Sequence, residues 1–141
     1  MVGVGILFPV FAQMLLTFVL MLGMGLARQR ALRERRVALP DIALDSSRWP
    51  EESRKFANCY TNQFELPVIF YALCLAALQT GKADYLMVLL AWCFVVTRFI
   101  HAYIHTGSNN VRHRGGAFAL GFLIALIMLV LLAVRLLIAK I

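Results

Sequence analysis

The chain has 141 residues, of which 62% are hydrophobic, with a mean hydropathy of +0.80 and a formal net charge of +7. Soluble domains use about 45–50% apolar residues, and one domain of this length has too little interior to hide the excess, which leaves a bilayer as its solvent. The positive charge does not read as a nucleic-acid interface, because the basic residues cluster beside apolar runs, where they set topology and attract anionic lipid headgroups.

Residues 2–27 form one uncharged run that exceeds the roughly 20 residues needed to cross the hydrocarbon. It has no basic leading region and is too long for a signal-peptide core, so it reads as a retained first span, with Gln13 and Thr17 one turn apart inside it. Residues 28–54 are polar: Arg28, Arg30, Arg33, Arg35 and Arg36 lead into Pro40, Asp41, Asp45, Arg48 and Pro50. Ser47 or Ser53 is the expected cap of the next helix, whose first turn Glu51 and Glu52 suit. The second span covers 55–80. Pro67 lies within it and removes a backbone donor, which predicts a kink or local unwinding near Gln63. After a short turn at Gln79–Lys82 come a third span, 83–105, and a fourth, 115–138, in which Ala117, Gly121 and Ala125 are spaced for close helix packing. The expectation is an all-α integral membrane four-helix bundle forming one domain, 1–141. Cys59, Cys74 and Cys93 contain no Cys-x-x-Cys and read as small buried hydrophobes, with Cys59 the one redox candidate.

Lysine and arginine counts give the orientation. Eight lie between Arg28 and Lys55 and two more, Arg112 and Arg114, precede span four, against Lys82, Arg135 and Lys140 at the other end. The positive-inside rule puts both basic loops in the cytoplasm and both termini outside.

That topology brings two polar stripes to one depth. Asn58, Asn62 and Glu65 share a face if span two is a continuous helix, and Arg98, His101 and His105 share a face of span three. Glu65 then lies roughly 15 Å along its helix and Arg98 equally deep, and two opposite charges at matched depth in hydrocarbon are expected to pair. That pair alone reads equally well as a register pin. The crowding of Asn58, Asn62, His101, His105 and Arg114 at the same end points beyond this, to a wet cationic cavity for a ligand with carboxylates. His101, His105 and Glu65 also offer a three-ligand metal set, but Arg98 and Arg114 would repel a cation, so no metal is expected.

At these residues the chain resembles the MAPEG superfamily, the membrane-associated proteins in eicosanoid and glutathione metabolism. The likeness rests on four spans, a long first loop, Asn62-x-x-Glu65 followed by Pro67, and Arg98-x-x-His101. The run Asn62–Val68 is similar to the short bacterial branch in particular, which implies a bacterial inner-membrane location. The resemblance implies a homotrimer with glutathione, as cosubstrate, bound between neighbouring subunits near the cytoplasmic face. By position Asn62 and Glu65 match glutathione contacts, Glu65 facing the amino end. Arg28 matches an arginine reaching over from the next subunit, and Arg114 the arginine that stabilises the thiolate. His101 matches a site-lining position, with Arg98 one turn before it, and His105 stands where eicosanoid enzymes often carry Tyr. The pattern differs at Asn58, where characterised members carry Arg, and at Gly115 and Phe118, where they place a polar residue and Tyr.

The implied function, if the chain is active, is a glutathione-dependent transferase or peroxidase. Arg114 would favour the thiolate, which attacks a lipophilic electrophile or hydroperoxide arriving from the membrane lipids. This needs no protein nucleophile, and no Ser/His/Asp or Cys/His arrangement is evident. The alternative is a non-enzymatic protein of the same fold that binds an anionic lipid or small acid in that cavity. A channel or transporter subunit fits less well, because the buried polar groups stop at one end of the spans.

Overall fold

The computed structural model describes residues 3–138. Val2, at the start of the first expected span, and Lys140, counted for orientation, lie outside them. A single 3-10 turn, Gly3–Ile6, leads into α1, Leu7–Arg33. The short α2, Leu39–Ile42, and a 3-10 turn at Ser46–Arg48 occupy the polar loop. The second span is built from α3, Glu51–Thr61, a 3-10 turn at Asn62–Phe64, and α4, Leu66–Gln79. The third and fourth are α5, Tyr85–Thr106, and α6, Val111–Ile138. All four helical segments are long and apolar enough to cross a bilayer, and the described residues contain no strand.

Helix α1 runs beyond its apolar stretch. Arg28–Arg33 are good helix formers in water, so the helix carries its first three arginines on regular backbone. It ends in a Schellman turn: Arg36 N–H donates to Ala31 O at 2.9 Å and Arg35 N–H to Leu32 O at 3.0 Å, with Arg35 at φ +54°. Helix α4 ends similarly, with Gly81 at φ +68° and Lys82 N–H donating to Ala77 O. The cap expected from Ser47 or Ser53 does not form. Pro50 is the N-cap of α3, and Ser53 lies buried one turn inside it.

The dry core fills the half of the bundle remote from the polar loops. Ile6 and Val10 pack there with Phe70, Met87, Phe94 and Met128, and Phe70 stacks on Phe94 at 4.3 Å. A second cluster of Leu16, Leu20, Cys59 and Ala102 lies nearer the polar end. Gly121 brings α6 against α5, where an added Cβ would stand 2.8 Å from Thr97 Oγ1, and Ala125 one turn on is buried. Gly23 does the same between α1 and α3, facing the Phe56 ring. Cys59 and Cys74 are buried, whereas Cys93 faces outward from α5 rather than into the core.

At the remote end Asp84 caps α5, accepting from Met87 N–H at 3.0 Å, and pairs with Arg135 of α6 at 2.7 Å. Partial desolvation pushes the Asp84 carboxyl up, but the Met87 N–H and the Arg135 guanidinium outweigh it and hold it below the usual carboxylate range. At the opposite end Lys55 Nζ donates to Gly107 O at 3.3 Å, so the first turns of α3 are tied to the turn between α5 and α6.

Candidate functional site

Pro67 governs the local geometry of the site. It has no N–H for Gln63 O, so the α-helix stops at Thr61, tightens to a 3-10 turn and breaks at Glu65, whose backbone sits at φ −101°, ψ −104°. Of the kink or local unwinding expected near Gln63, the structure shows local unwinding, a 3-10 turn followed by an interruption at Glu65. Its consequence overturns the single stripe of Asn58, Asn62 and Glu65. The break rotates Glu65 out of the helical phase that spacing assumed, and its side chain is exposed on the outside of the protomer. The Glu65–Arg98 ion pair does not form: among the described residues Glu65 has no salt-bridge partner.

Arg98 is fully buried all the same. Its Nη2 donates to Asn62 O at 3.3 Å, a carbonyl at the helix break, and its guanidinium carbon lies 5.6 Å from the centre of the Phe118 ring. Its Nε and Nη1 have no partner among the described residues. The stripe expected on α5 does form, because that helix is unbroken: Arg98, His101 and His105 are all buried.

Around them the structure joins three elements. Asn62 Nδ2 lies 3.4 Å from His101 Nε2 and 3.5 Å from His105 Nδ1, His105 Nδ1 lies 3.3 Å from His101 Nε2, and His101 Nδ1 lies 2.9 Å from Arg114 O. Arg114 Nη1 lies 2.9 Å from His105 Nε2 and donates to Asn109 Oδ1 at 2.6 Å. Beside this cluster opens a cavity of about 500 Å³, lined by Asn58, Thr61, Asn62, His101, His105, Val111, Arg114, Gly115 and Phe118. No Asp or Glu among the described residues lines it. Its size falls in the range of small-molecule pockets, and its charged and amide donors suit an anion. Among the described residues no three His, Cys, Asp or Glu side chains converge as a metal site.

Arg28 is not part of that cluster within one protomer. Its guanidinium lies 5.0 Å from the centre of the Trp49 ring, over a separate cavity of about 270 Å³ that also has Ser46, Ser47, Ser53 and Arg54 in its wall. The two cavities share Asn58. In that loop the side-chain and backbone hydrogen bonds from Ser47 hold the Asp45 carboxyl below the usual range.

Two residues of this region escaped the sequence reading. Asn109, which holds Arg114, sits in the left-handed region at φ +53°; the only signal was an asparagine pair in a polar turn. Gln63, buried at the break, accepts from Gln13 Nε2 at 2.9 Å and donates to Cys59 O at 2.8 Å. Two glutamines in opposite apolar spans were its signal.

A profile described as the MAPEG family matches residues 6–134. No curated protein and no solved structure matches the chain significantly. The matched region runs from the last residue of the 3-10 turn before α1 almost to the end of α6, and so covers the four apolar helical segments, less a few residues at the outer ends of the first and fourth, and the cluster between them. The chain is an integral multi-pass membrane protein that belongs to the MAPEG family.

Proposed function

We propose that the protein is a membrane-bound glutathione-dependent transferase or peroxidase, with Arg114 as the thiolate stabiliser, Asn62, His101 and His105 forming the binding wall, and Arg98 buried behind it, where it adds positive charge without touching the ligand. Family membership supports a glutathione- or eicosanoid-type role broadly. The observation that carries the narrower reading is the cavity itself, cationic, free of carboxylates among its described lining and built around Arg114. A thiol with a pKa near 8.5 is mostly protonated at neutral pH, and a guanidinium beside the sulfur favours the thiolate by about 1.4 kcal/mol for each unit it lowers that value. The electrophile or hydroperoxide is lipophilic and arrives from the bilayer.

The reading includes a homotrimer in which each chain forms one transmembrane domain over 1–141, in an inner membrane with the basic loops in the cytoplasm. The assembly is what brings in Arg28, and Glu65 for the amino end of the peptide, since neither lines the cavity of its own protomer. The position of Glu65 also favours the second reading, a non-enzymatic protein of this fold that binds an anionic lipid or small acid having no amine to neutralise.

Glutathione binding to the purified full chain in lipid nanodiscs, followed through thiolate absorbance, separates the two. Wild type is expected to bind and show the thiolate signal, and Arg114→Ala to lose about tenfold or more of it, the equivalent of one pKa unit. No binding to wild type at millimolar glutathione sinks the enzyme reading.

A further inference from the structure

The hydrogen-bond pattern around Arg114 fixes more than its position. A guanidinium has five N–H donors and no acceptor. Nη1 carries two of those hydrogens, and it meets two acceptors, Asn109 Oδ1 at 2.6 Å and His105 Nε2 at 2.9 Å. His105 must therefore accept at Nε2, so as a neutral ring it holds its proton on Nδ1, which faces His101 Nε2 at 3.3 Å. Asn62 Nδ2 lies 3.5 Å from that Nδ1, the longest of these contacts, and with the Nδ1–H tautomer it donates instead to His101 Nε2 at 3.4 Å. His101 then accepts at Nε2 and holds its own proton on Nδ1, 2.9 Å from Arg114 O. That carbonyl can only accept, so it demands the same tautomer of His101 independently. The bonds close a loop from the Arg114 side chain through both rings to the Arg114 backbone.

The backbone supports this arrangement at each point. His101 and His105 are four residues apart on α5, which stacks them on one face. Asn109 reaches Arg114 from a left-handed residue in the α5–α6 turn, with its N–H on Ile104 O at 2.7 Å. Both hydrogens of Nη1 are spent, while Nε–H and the two hydrogens of Nη2 stay available at the cavity that Arg114 lines. Those two nitrogens form the edge of a guanidinium that binds an anion in bidentate fashion.

We propose that Asn109 and His105 are positioning residues that clamp the Nη1 edge of Arg114, with His101 locking the His105 tautomer, and so present the Nε–Nη2 edge to a ligand's thiolate or carboxylate. The ligand end of this inference rests on the glutathione reading; the clamp itself does not.

The test begins without ligand, on the full chain in lipid nanodiscs with histidine and arginine side chains labelled with nitrogen-15. His101 and His105 should show the Nδ1–H tautomer, identified by the signals lost in His101→Gln and His105→Gln, with exposed His113 as internal control. The Arg114 Nη1 and Nη2 signals, identified with Arg114→Lys, should be resolved by restricted rotation in wild type and in His105→Gln, whose amide oxygen replaces the acceptor. They should average in His105→Phe and in Asn109→Gly, which removes the Asn109 acceptor at a φ that glycine adopts without cost. An Nε2–H tautomer at His105, or equally restricted rotation in all four proteins, overturns the clamp. Glutathione thiolate absorbance is the second measurement. His105→Phe and Asn109→Gly should each weaken it about tenfold, or 1.4 kcal/mol, while His105→Gln, which restores an acceptor for Arg114, should weaken it less than His105→Phe does. Equal signals from His105→Phe and His105→Gln overturn the role of His105 in presenting Arg114. If wild type binds no glutathione, the proposed function and the ligand end of this inference fail together, and the ring and guanidinium signals alone decide the clamp.

Discussion

At the scale of single residues, the interior is held by polar groups whose value depends on what each leaves behind when removed. Gln13 already has one orphan atom, Oε1, and spends its Nε2 on Gln63 Oε1. Gln63 is the hub, since its own Nε2 also serves Cys59 O. Gln13→Leu therefore removes one orphan and creates one, whereas Gln63→Leu leaves both polar atoms of buried Gln13 unpartnered. An unsatisfied buried group costs about 1–3 kcal/mol, so Gln63→Leu is expected to be the more destabilising by about that amount in detergent unfolding. Equal losses would mean that the pair is not the contact that matters. The same scale shows what was legible in the sequence. Arg98, His101 and His105 could be read as one stripe because an unbroken helix turns spacing into geometry. Glu65 and Asn109 could not, because each sits at a backbone irregularity, a break before proline and a left-handed turn residue, where spacing says nothing about direction.

Among the elements, α5 and α6 form the frame of the site: one carries both histidines, the other Arg114, and their approach depends on Gly121. A Cβ there would meet Thr97 Oγ1 at 2.8 Å, closer than packed atoms allow, and Thr97 is tied to Phe94 O at 2.7 Å. Gly121→Ala is expected to cost about 1–3 kcal/mol through overpacking, read as a lower unfolding midpoint. Thr97→Ala in the same chain should recover most of it, because it removes the obstructing oxygen; a double variant no better than the single would place the strain elsewhere. The spacing Ala117, Gly121, Ala125 made this contact readable, as the apolar runs made the four spans readable. Element ends were harder. Helix α1 continues to Arg33 because helix formation in water follows backbone propensity and not apolarity, so the change from apolar to basic residues marks the expected membrane edge and not the helix end. The division of span two into α3 and α4 was signalled by Pro67, but its angle and the exit of Glu65 depend on torsions that the residue types leave free.

For the whole molecule, the bundle is too thin to satisfy itself. In the most apolar windows of the four spans only 28–44% of residues are buried within the protomer, so most of each helix must face lipid or another subunit. Phe8, Leu15 and Leu22 on α1 and Leu123, Ile127 and Val130 on α6 are exposed examples. The first turns of α3 and the α5–α6 turn lie together at one end, joined by the bond from Lys55 to Gly107, while Asp84 and Arg135 close the other. If the bilayer reads charge by the positive-inside rule, the end with the histidines and Arg114 faces the cytoplasm. The check is one cysteine at a time in a chain whose Cys59, Cys74 and Cys93 are changed to Ala, probed with a membrane-impermeant maleimide. Leu44→Cys in the first loop and Ser108→Cys in the third replace exposed side chains, and Gln79→Cys does so at the far end of α4. The first two should be labelled in inside-out vesicles and protected in intact cells, and Gln79→Cys should show the reverse. A full reversal would mean that the basic loops face outward and that the cavity draws its ligand from the other compartment. Labelling of Leu44→Cys and Gln79→Cys from one side would go further: α3 and α4 would then not cross the bilayer as one span, and the break at Glu65 would be a re-entrant turn instead of an interruption within one span.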